Sequence, residues 1–140
     1  YKLRSMKVEA PDLRNPDGST YNSPTDPRLT KIGKFLRQSS IDEMPQIINV
    51  LRAEMSFVGP RPDLIDQLCF YSEEEKLKYS VLPGITGYSQ AYFRNSIGWK
   101  ERLKNDIYYA QNLSFLFDVK ILLKTIEQIL FRKNIYNGSK

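Results

Sequence analysis

"SSIDEMPQIINVLRAEMSFVGPRPDL", residues 39–64, is the stretch on which the reading turns. Two acids, Asp42 and Glu43, stand side by side ahead of Pro45, and further on Arg61 is held between Pro60 and Pro62. Ser40 and Glu43 have the spacing of a capping box, in which a hydroxyl and a carboxylate each satisfy an unpaired N–H group at a helix start. Asp42 fits the N-cap position equally well, and the pattern does not separate the two. Pro45 is compatible with a helix only in its first turn, where backbone N–H groups lack helical partners. Ile47, Ile48, Leu51 and Met55 then recur on one face, so a helix is expected from about Ser40 to before "FVGPRP".

Working outward, "YKLRSM" (1–6) alternates in character and predicts a short strand. Residues 10–28 hold four prolines, a glycine and many Asp, Asn and Ser, which predicts a loop. Asp26-Pro27 offers a helix start, followed by Leu29, Ile32, Phe35 and Leu36 at helical spacing. Arg28, Lys31, Lys34 and Arg37 interleave as a solvated face or a binding stripe. A third helix is expected over Asp63–Tyr79, carrying "SEEEKLK" as an exposed patch. "LPGITGYSQAYFRN" (82–95) reads as a glycine-bearing loop. Ser96 is placed as the cap of a helix running to about Gln111, and Ser114 as the start of a last one, "FLFDVKILLKTIEQILFRKN". The expected fold is mainly α with minor β: a single compact domain over 1–140, with about five helices and a short N-terminal strand.

The composition narrows the chemistry. The chain has 140 residues, 41% hydrophobic and 26% charged, as a globular domain has. Lysine plus arginine exceed the acids by 21 to 16, a net charge of +5, which favours anionic partners without choosing among them. There is no histidine, which removes imidazole as a base or a metal ligand, and the single cysteine, Cys69, precludes an internal disulfide. Cys69 reads as a small buried residue. If the chain is an enzyme, its chemistry must come from carboxylates, Lys, Arg, Tyr or Ser, with or without an oxygen-bound metal such as Mg2+. No apolar run approaches the about 20 residues that cross a bilayer.

Acids at a helix start are explained by the helix dipole alone. The same field also holds a carboxylate ionised and a phosphate nearby, and an ionised aspartate can attack phosphorus to form an acyl-phosphate. Proline on both sides leaves Arg61 little backbone freedom to lose, which suits a planar grip on phosphate oxygens; a stiff loop whose arginine pairs with a neighbouring acid is the other reading. In the last segment Phe115, Leu116, Val119, Leu122, Leu123, Ile126, Ile129 and Leu130 form a broad apolar face, with Lys120, Lys124, Arg132 and Lys133 beside or after it. That face is buried against the domain or laid on a membrane surface, and one helix can do both.

"YKLRSM", "LTKIGKFLRQSSIDEMPQIINVLRAEMSFVGPRP", "LPGITGYSQ", "RNSIGW" and "LKNDIYYAQNLSFLFDVKILLKT" occur in this order. Together they resemble the bacterial sugar transferases, small monotopic phosphoglycosyl transferases, over nearly the whole chain. The resemblance implies transfer of a sugar-1-phosphate from a UDP-sugar to a polyprenyl (undecaprenyl) phosphate, with UMP released. Such a step starts surface polysaccharide or glycan assembly at the cytoplasmic face of the bacterial inner membrane. It implies that Asp42 and Glu43 are the family's catalytic dyad and hold Mg2+, with Asp42 as nucleophile in a ping-pong scheme. It places Arg37, Pro60, Arg61, Pro62 and Arg94 at phosphate or nucleotide; Asp106 and Asp118 match acidic positions of the family whose roles stay open. Two departures leave the sugar unassigned: Leu82 stands where the family often has arginine, and "AYFRN" where "VNGRN" is common. The family's membrane-entering helix and the segment that pairs with "YKLRSM" are not in these residues, so a fragment lacking its anchor is expected.

The alternative is a non-catalytic basic module that binds nucleic acid or an anionic membrane surface. No helix-turn-helix, RRM or KH signature accompanies the charge, so nucleic acid is not expected as a partner.

Overall fold

A computed structural model describes residues 1–15, 21, 23, 25–94 and 96–131. Parts of the loop expected over 10–28, and Arg132 and Lys133 beyond the last helix, lie outside the described residues.

Helix α1 spans Lys31–Ser39. It starts later than Asp26-Pro27 because Asp26 is committed elsewhere: its carboxylate accepts from the backbone N–H, Nε and Nη2 of Arg28, and the pair is buried. Thr30 caps the helix instead, its Oγ1 accepting from the Gly33 N–H at 2.8 Å. The terminal segment lies across this helix at Gly33, where an added Cβ would fall 1.8 Å from the Ser5 carbonyl oxygen. Only a residue without a side chain admits that approach.

The helix ends on Ser40, which takes the left-handed conformation (φ 57°) while its N–H closes on the Arg37 and Leu36 carbonyls. The capping box expected at Ser40 and Glu43 therefore does not form, and Ser40 makes no side-chain capping bond. Ile41–Glu43 is a single 3₁₀ turn, and α2, Gln46–Leu51, follows with Pro45 at its N-cap. No residue of α2 is buried. The apolar face read in the sequence is exposed on it, with Leu51 at 82%.

The sheet is not where the alternation at 1–6 put it. Residues 1–6 contribute only an isolated antiparallel bridge between Met6 and Leu29. The paired strands are β1, Ser56–Val58, and β2, Gly84–Thr86, parallel, with Ser56 opposite Gly84 and Val58 opposite Thr86. Gly59 and Gly84 press directly together; a Cβ on Gly84 would lie 2.1 Å from the Gly59 nitrogen. The crossover between the strands carries two short 3₁₀ segments, Ile65–Phe70 and Glu75–Ser80, in place of one long helix. Tyr71 is extended between them. The second segment is preceded by a reciprocal pair of bonds: Ser72 N–H donates to the Glu75 carboxylate and Glu75 N–H to Ser72 Oγ. Cys69 is exposed, not buried.

After β2 the chain forms α3, Tyr88–Tyr92, then α4, Trp99–Gln111, then α5, Phe115–Phe131. The described residues are mainly helical, as expected, with α3 added and the third expected helix replaced. Gly98, not Ser96, is the N-cap of α4. Ser114 stands before α5, its Oγ accepting from the Phe117 N–H at 3.4 Å. The core is Val58, Ala91, Tyr109 and Ile121, with Val81, Tyr88 and Phe117 packed against it. The Tyr109 hydroxyl sits 2.7 Å from Asp118 Oδ1 and 3.2 Å from the Val58 carbonyl. Burial is the first cause of the raised Tyr109 pKa, and the Asp118 charge adds to it. This core fixes the end of β1, from which Pro60-Arg61-Pro62 emerges.

Candidate active site

Asp42 and Glu43 sit in the tight turn between α1 and α2. The turn is held from outside by the terminal segment: the Leu3 N–H donates to the Asp42 carbonyl at 2.9 Å. That bond delivers the preceding residue, Lys2, to both acids. Its Nζ lies 3.0 Å from Glu43 Oε1 and 3.2 Å from Asp42 Oδ2. From the opposite direction Arg61 Nη1 reaches Glu43 Oε1 at 3.3 Å. Asp42 is nearly inaccessible, 2% exposed, yet its Oδ2 has no hydrogen-bond partner. Lys2 stands at ion-pair distance from that oxygen without being aligned on it.

Burial by itself would raise the Glu43 pKa, but the charges and hydrogen bonds of Arg61 and Lys2 outweigh it and hold the carboxyl below the ordinary glutamate range. Arg94 belongs to the same field: burial lowers its pKa and the Glu43 charge opposes that shift. Arg94 itself takes a left-handed backbone (φ 48°) just after α3, a conformation that costs a non-glycine residue about 1 kcal/mol.

Pro60 and Pro62 hold Arg61 in a segment tied on both sides. The Gly84 N–H donates to the Pro60 carbonyl at 3.0 Å, and Lys78 Nζ donates to the Arg61 carbonyl at 3.2 Å. A cavity of about 110 Å³ opens beside this loop, between Pro60, Arg61, Lys78, Tyr79 and Pro83. Arg37 stands differently. Its Nε–H donates to Ser5 Oγ at 2.9 Å, so it meets the segment that carries Lys2 and not the acids themselves. The structure thus brings Asp42, Glu43, Arg61 and Arg94 into one electrostatic neighbourhood, with Pro60 and Pro62 framing it and Arg37 tied to the segment above.

Three residues outside the sequence reading join this site. Lys2 was part of a block read as a short strand and as a point of family resemblance, with no role at the site. Lys78 was placed on an exposed patch, but its side chain is 3% exposed and paired with Asp63 and Asp106. Burial raises the Asp106 pKa, with the Lys78 charge working against it. Arg102 of α4 has a buried Nε without a partner. For Lys78 the charge pattern offered no signal, because Lys76, two residues before it, is solvent-facing in the same run.

Among the described residues no cluster of three or more His, Cys, Asp or Glu exists that would cage a metal. Mg2+ is commonly bound through one or two carboxylates while phosphates and water complete its shell, so it does not require such a cluster. The unbonded Asp42 Oδ2 and the neighbouring Glu43 are the oxygens available for it.

The sequence profile of the bacterial sugar transferase family matches residues 1–132. The chain is 42% identical over 135 residues to a sugar transferase of Bacillus subtilis, EpsL, described as uncharacterized; the match covers 96% of this chain and 64% of that one. It is 35% identical to the undecaprenyl-phosphate galactose phosphotransferase of Salmonella typhimurium, covering 97% of this chain and 31% of the other. It is 42% identical to the UDP-galactose-lipid carrier transferase of Erwinia amylovora, covering 79% and 23%. The chain thus spans less than two thirds of the length of each of these relatives.

Proposed function

Because the chain belongs to the bacterial sugar transferase family, we propose that it transfers a sugar-1-phosphate from a UDP-sugar to a polyprenyl phosphate through a covalent intermediate on Asp42. Relatives named for undecaprenyl phosphate and for a UDP-galactose-lipid carrier support this choice of donor and acceptor. The observation that carries it is a carboxylate pair, one oxygen of it buried and unbonded, met by cations from two separate elements.

In the first half-reaction an Asp42 carboxylate oxygen attacks the phosphorus that bears the sugar. The bond from that phosphorus to the bridging oxygen breaks, and UMP leaves with the electron pair. In the second, an oxygen of the polyprenyl phosphate attacks the same phosphorus, and Asp42 departs as a carboxylate. The products are a polyprenyl diphosphate sugar and the restored enzyme. Such a transfer depends on an in-line nucleophile and on neutralising charge that spreads over the phosphoryl oxygens. Arg61 is pre-positioned for the second task, Arg94 feels the same Glu43 charge, and Pro60 and Pro62 limit the freedom Arg61 would lose on binding. Asp42 and Glu43 would hold Mg2+, which would supply charge neutralisation for the diphosphate. Glu43, kept ionised by Arg61 and Lys2, serves that role better than a protonated acid.

The acceptor is a lipid, and the chain offers an apolar surface to meet one. Phe35 on α1, Leu51 on α2, and Phe115, Leu123 and Leu130 on α5 are all exposed. No helix among the described residues is long and apolar enough to cross a membrane. We place these side chains in the acyl boundary of the cytoplasmic leaflet of the bacterial inner membrane, with the flanking lysines at the headgroups.

The deciding experiment is intact-protein mass spectrometry with Mg2+ and a panel of UDP-sugars. A mass increase of one sugar-phosphate is expected for the wild type and none for Asp42→Asn. An adduct of the same mass on the Asp42→Asn protein would refute the assignment of the nucleophile.

A further inference from the structure

We propose that Lys78 is a positioning residue for this transfer: from beneath the Pro60-Arg61-Pro62 loop it fixes the Arg61 backbone and so sets where the guanidinium stands. The proposal rests on the functional reading above, in which Arg61 serves the phosphoryl group.

The argument begins with what two prolines remove. Pro60 and Pro62 have no N–H, so this segment cannot be secured by a regular ladder of donors. Apart from the single Arg61 N–H, its carbonyls are the backbone groups that remain, and two successive ones are taken. The Pro60 carbonyl accepts from Gly84 on β2, and the Arg61 carbonyl accepts from Lys78 Nζ at 3.2 Å. The lysine carries three donors, and the structure supplies three acceptors: the Arg61 carbonyl, Asp63 Oδ2, and Asp106 Oδ2 at 3.1 Å. Asp63 follows the loop directly and accepts in addition from the Tyr79 hydroxyl at 3.1 Å, while Asp106 is anchored on α4. The ammonium thus joins the Arg61 carbonyl and the residue just past the loop, Asp63, to a helix of the core.

A buried lysine between two acids is a weak way to add stability, since apolar side chains of the same volume often serve as well or better. What it does supply is directional restraint on a loop that cannot restrain itself. The cavity of about 110 Å³ beside the loop is where the segment has room to shift once that restraint is gone. Arg61 meets Glu43 through one nitrogen at 3.3 Å, and no second contact between them would hold the guanidinium in place if its backbone moved.

The test is a double-mutant cycle on the intact protein, reading transfer from a UDP-sugar to polyprenyl phosphate, with Lys78→Met, Lys78→Arg, Arg61→Gln and the Lys78→Met/Arg61→Gln pair. Misplacing a catalytic cation by an ångström costs about 10²-fold, so Lys78→Met should lower kcat by about tenfold or more, and Lys78→Arg should restore most of it. In the Arg61→Gln background the same change should cost less than about twofold, because its effect runs through the arginine. Losses that multiply, or a Lys78→Met protein with wild-type turnover, would overturn the proposal.

A second readout does not depend on activity. The Gly84 amide, bonded to Pro60, should exchange with solvent faster in Lys78→Met, while the Ala91 amide in the core stays protected. Equal acceleration at both sites means a general structural role and also overturns the proposal. If Lys78→Met does not fold, Asp106→Asn loosens the same ammonium at constant shape and enters the same cycle. Absence of transfer by the wild type with every donor sugar would count against the function, while the exchange experiment would still decide the role of Lys78.

Discussion

Replacing Arg61 by glutamine separates a structural arginine from one that serves chemistry, because the two roles predict effects of very different size. The contact to Glu43 is a single one, 3.3 Å long, and the Arg61 side chain is 40% exposed. A pair so wet is worth about 0.5–1 kcal/mol, not the larger figure a buried pair would carry. Lys2 remains 3.0 Å from the same Glu43 oxygen, so the substitution does not strand a buried charge. The melting temperature should therefore fall by about 3 °C for a domain of this size. Turnover should fall much further. Removing one preorganised donor to a developing phosphoryl charge costs about 10²–10³ in rate, or about 3–4 kcal/mol of barrier. Transfer to polyprenyl phosphate and thermal unfolding, measured on one preparation, give both numbers. Arg61→Lys should recover the stability but only part of the rate, since a point charge lacks the planar fork. Turnover of Arg61→Gln within about threefold of wild type, at any stability, would refute the reasoning.

Glu43→Gln should destabilise the protein at neutral pH and lose that effect in acid. Its carboxyl has a lowered folded pKa, so its contribution is fully present above the unfolded value of about 4.3 and disappears as pH falls through the folded value. Denaturant titrations of wild type and variant from about pH 7 to pH 3 should converge at the acid end, and a gap that widens there would contradict the assignment. Ile121→Ala, at a fully buried core position beside Tyr109, should cost about 2–4 kcal/mol in chemical denaturation; a loss below about 1 kcal/mol would mean α5 does not close this core. Leu123→Asp and Phe115→Asp, at exposed positions of the same helix, should change stability by less than about 0.5 kcal/mol and yet weaken sedimentation with anionic vesicles. Unfolding by either would place that face in the core and count against a lipid-facing surface.

The candidate residues drew attention because their types are unusual for their settings, and the family resemblance favoured the functional reading of them. Neighbouring acids before a proline, and an arginine between two prolines, stand out without any knowledge of contacts. The helices of the second half were legible for the ordinary reason that α4 and α5 are long enough to show a period. What failed was short or depended on distant partners. Strands of three residues have no periodicity to read, and glycine in "PGITG" signalled a loop, although Gly84 is there because Gly59 lies against it. The five residues of α3 were lost in the same way. Ser40 and Glu43 have the capping-box spacing, but Ser40 is already spent closing α1 in a left-handed conformation. The reciprocal Ser72 and Glu75 bonds used the same spacing inside what read as a helix interior.

Lys78 makes the deeper point. Local sequence places it two residues from Lys76 in one charged run, and nothing in that run separates the pair. The difference lies with Asp63 and Asp106, 15 and 28 residues away along the chain, which convert one of two similar lysines into a buried strut. Residues that perform chemistry tend to declare themselves by type, because the reaction demands a particular functional group. Those that hold them in place are chosen by partners, and become visible only when the fold has brought the partners together. The separation of Arg61, readable from its two prolines, and Lys78, readable only from the folded chain, follows from that distinction.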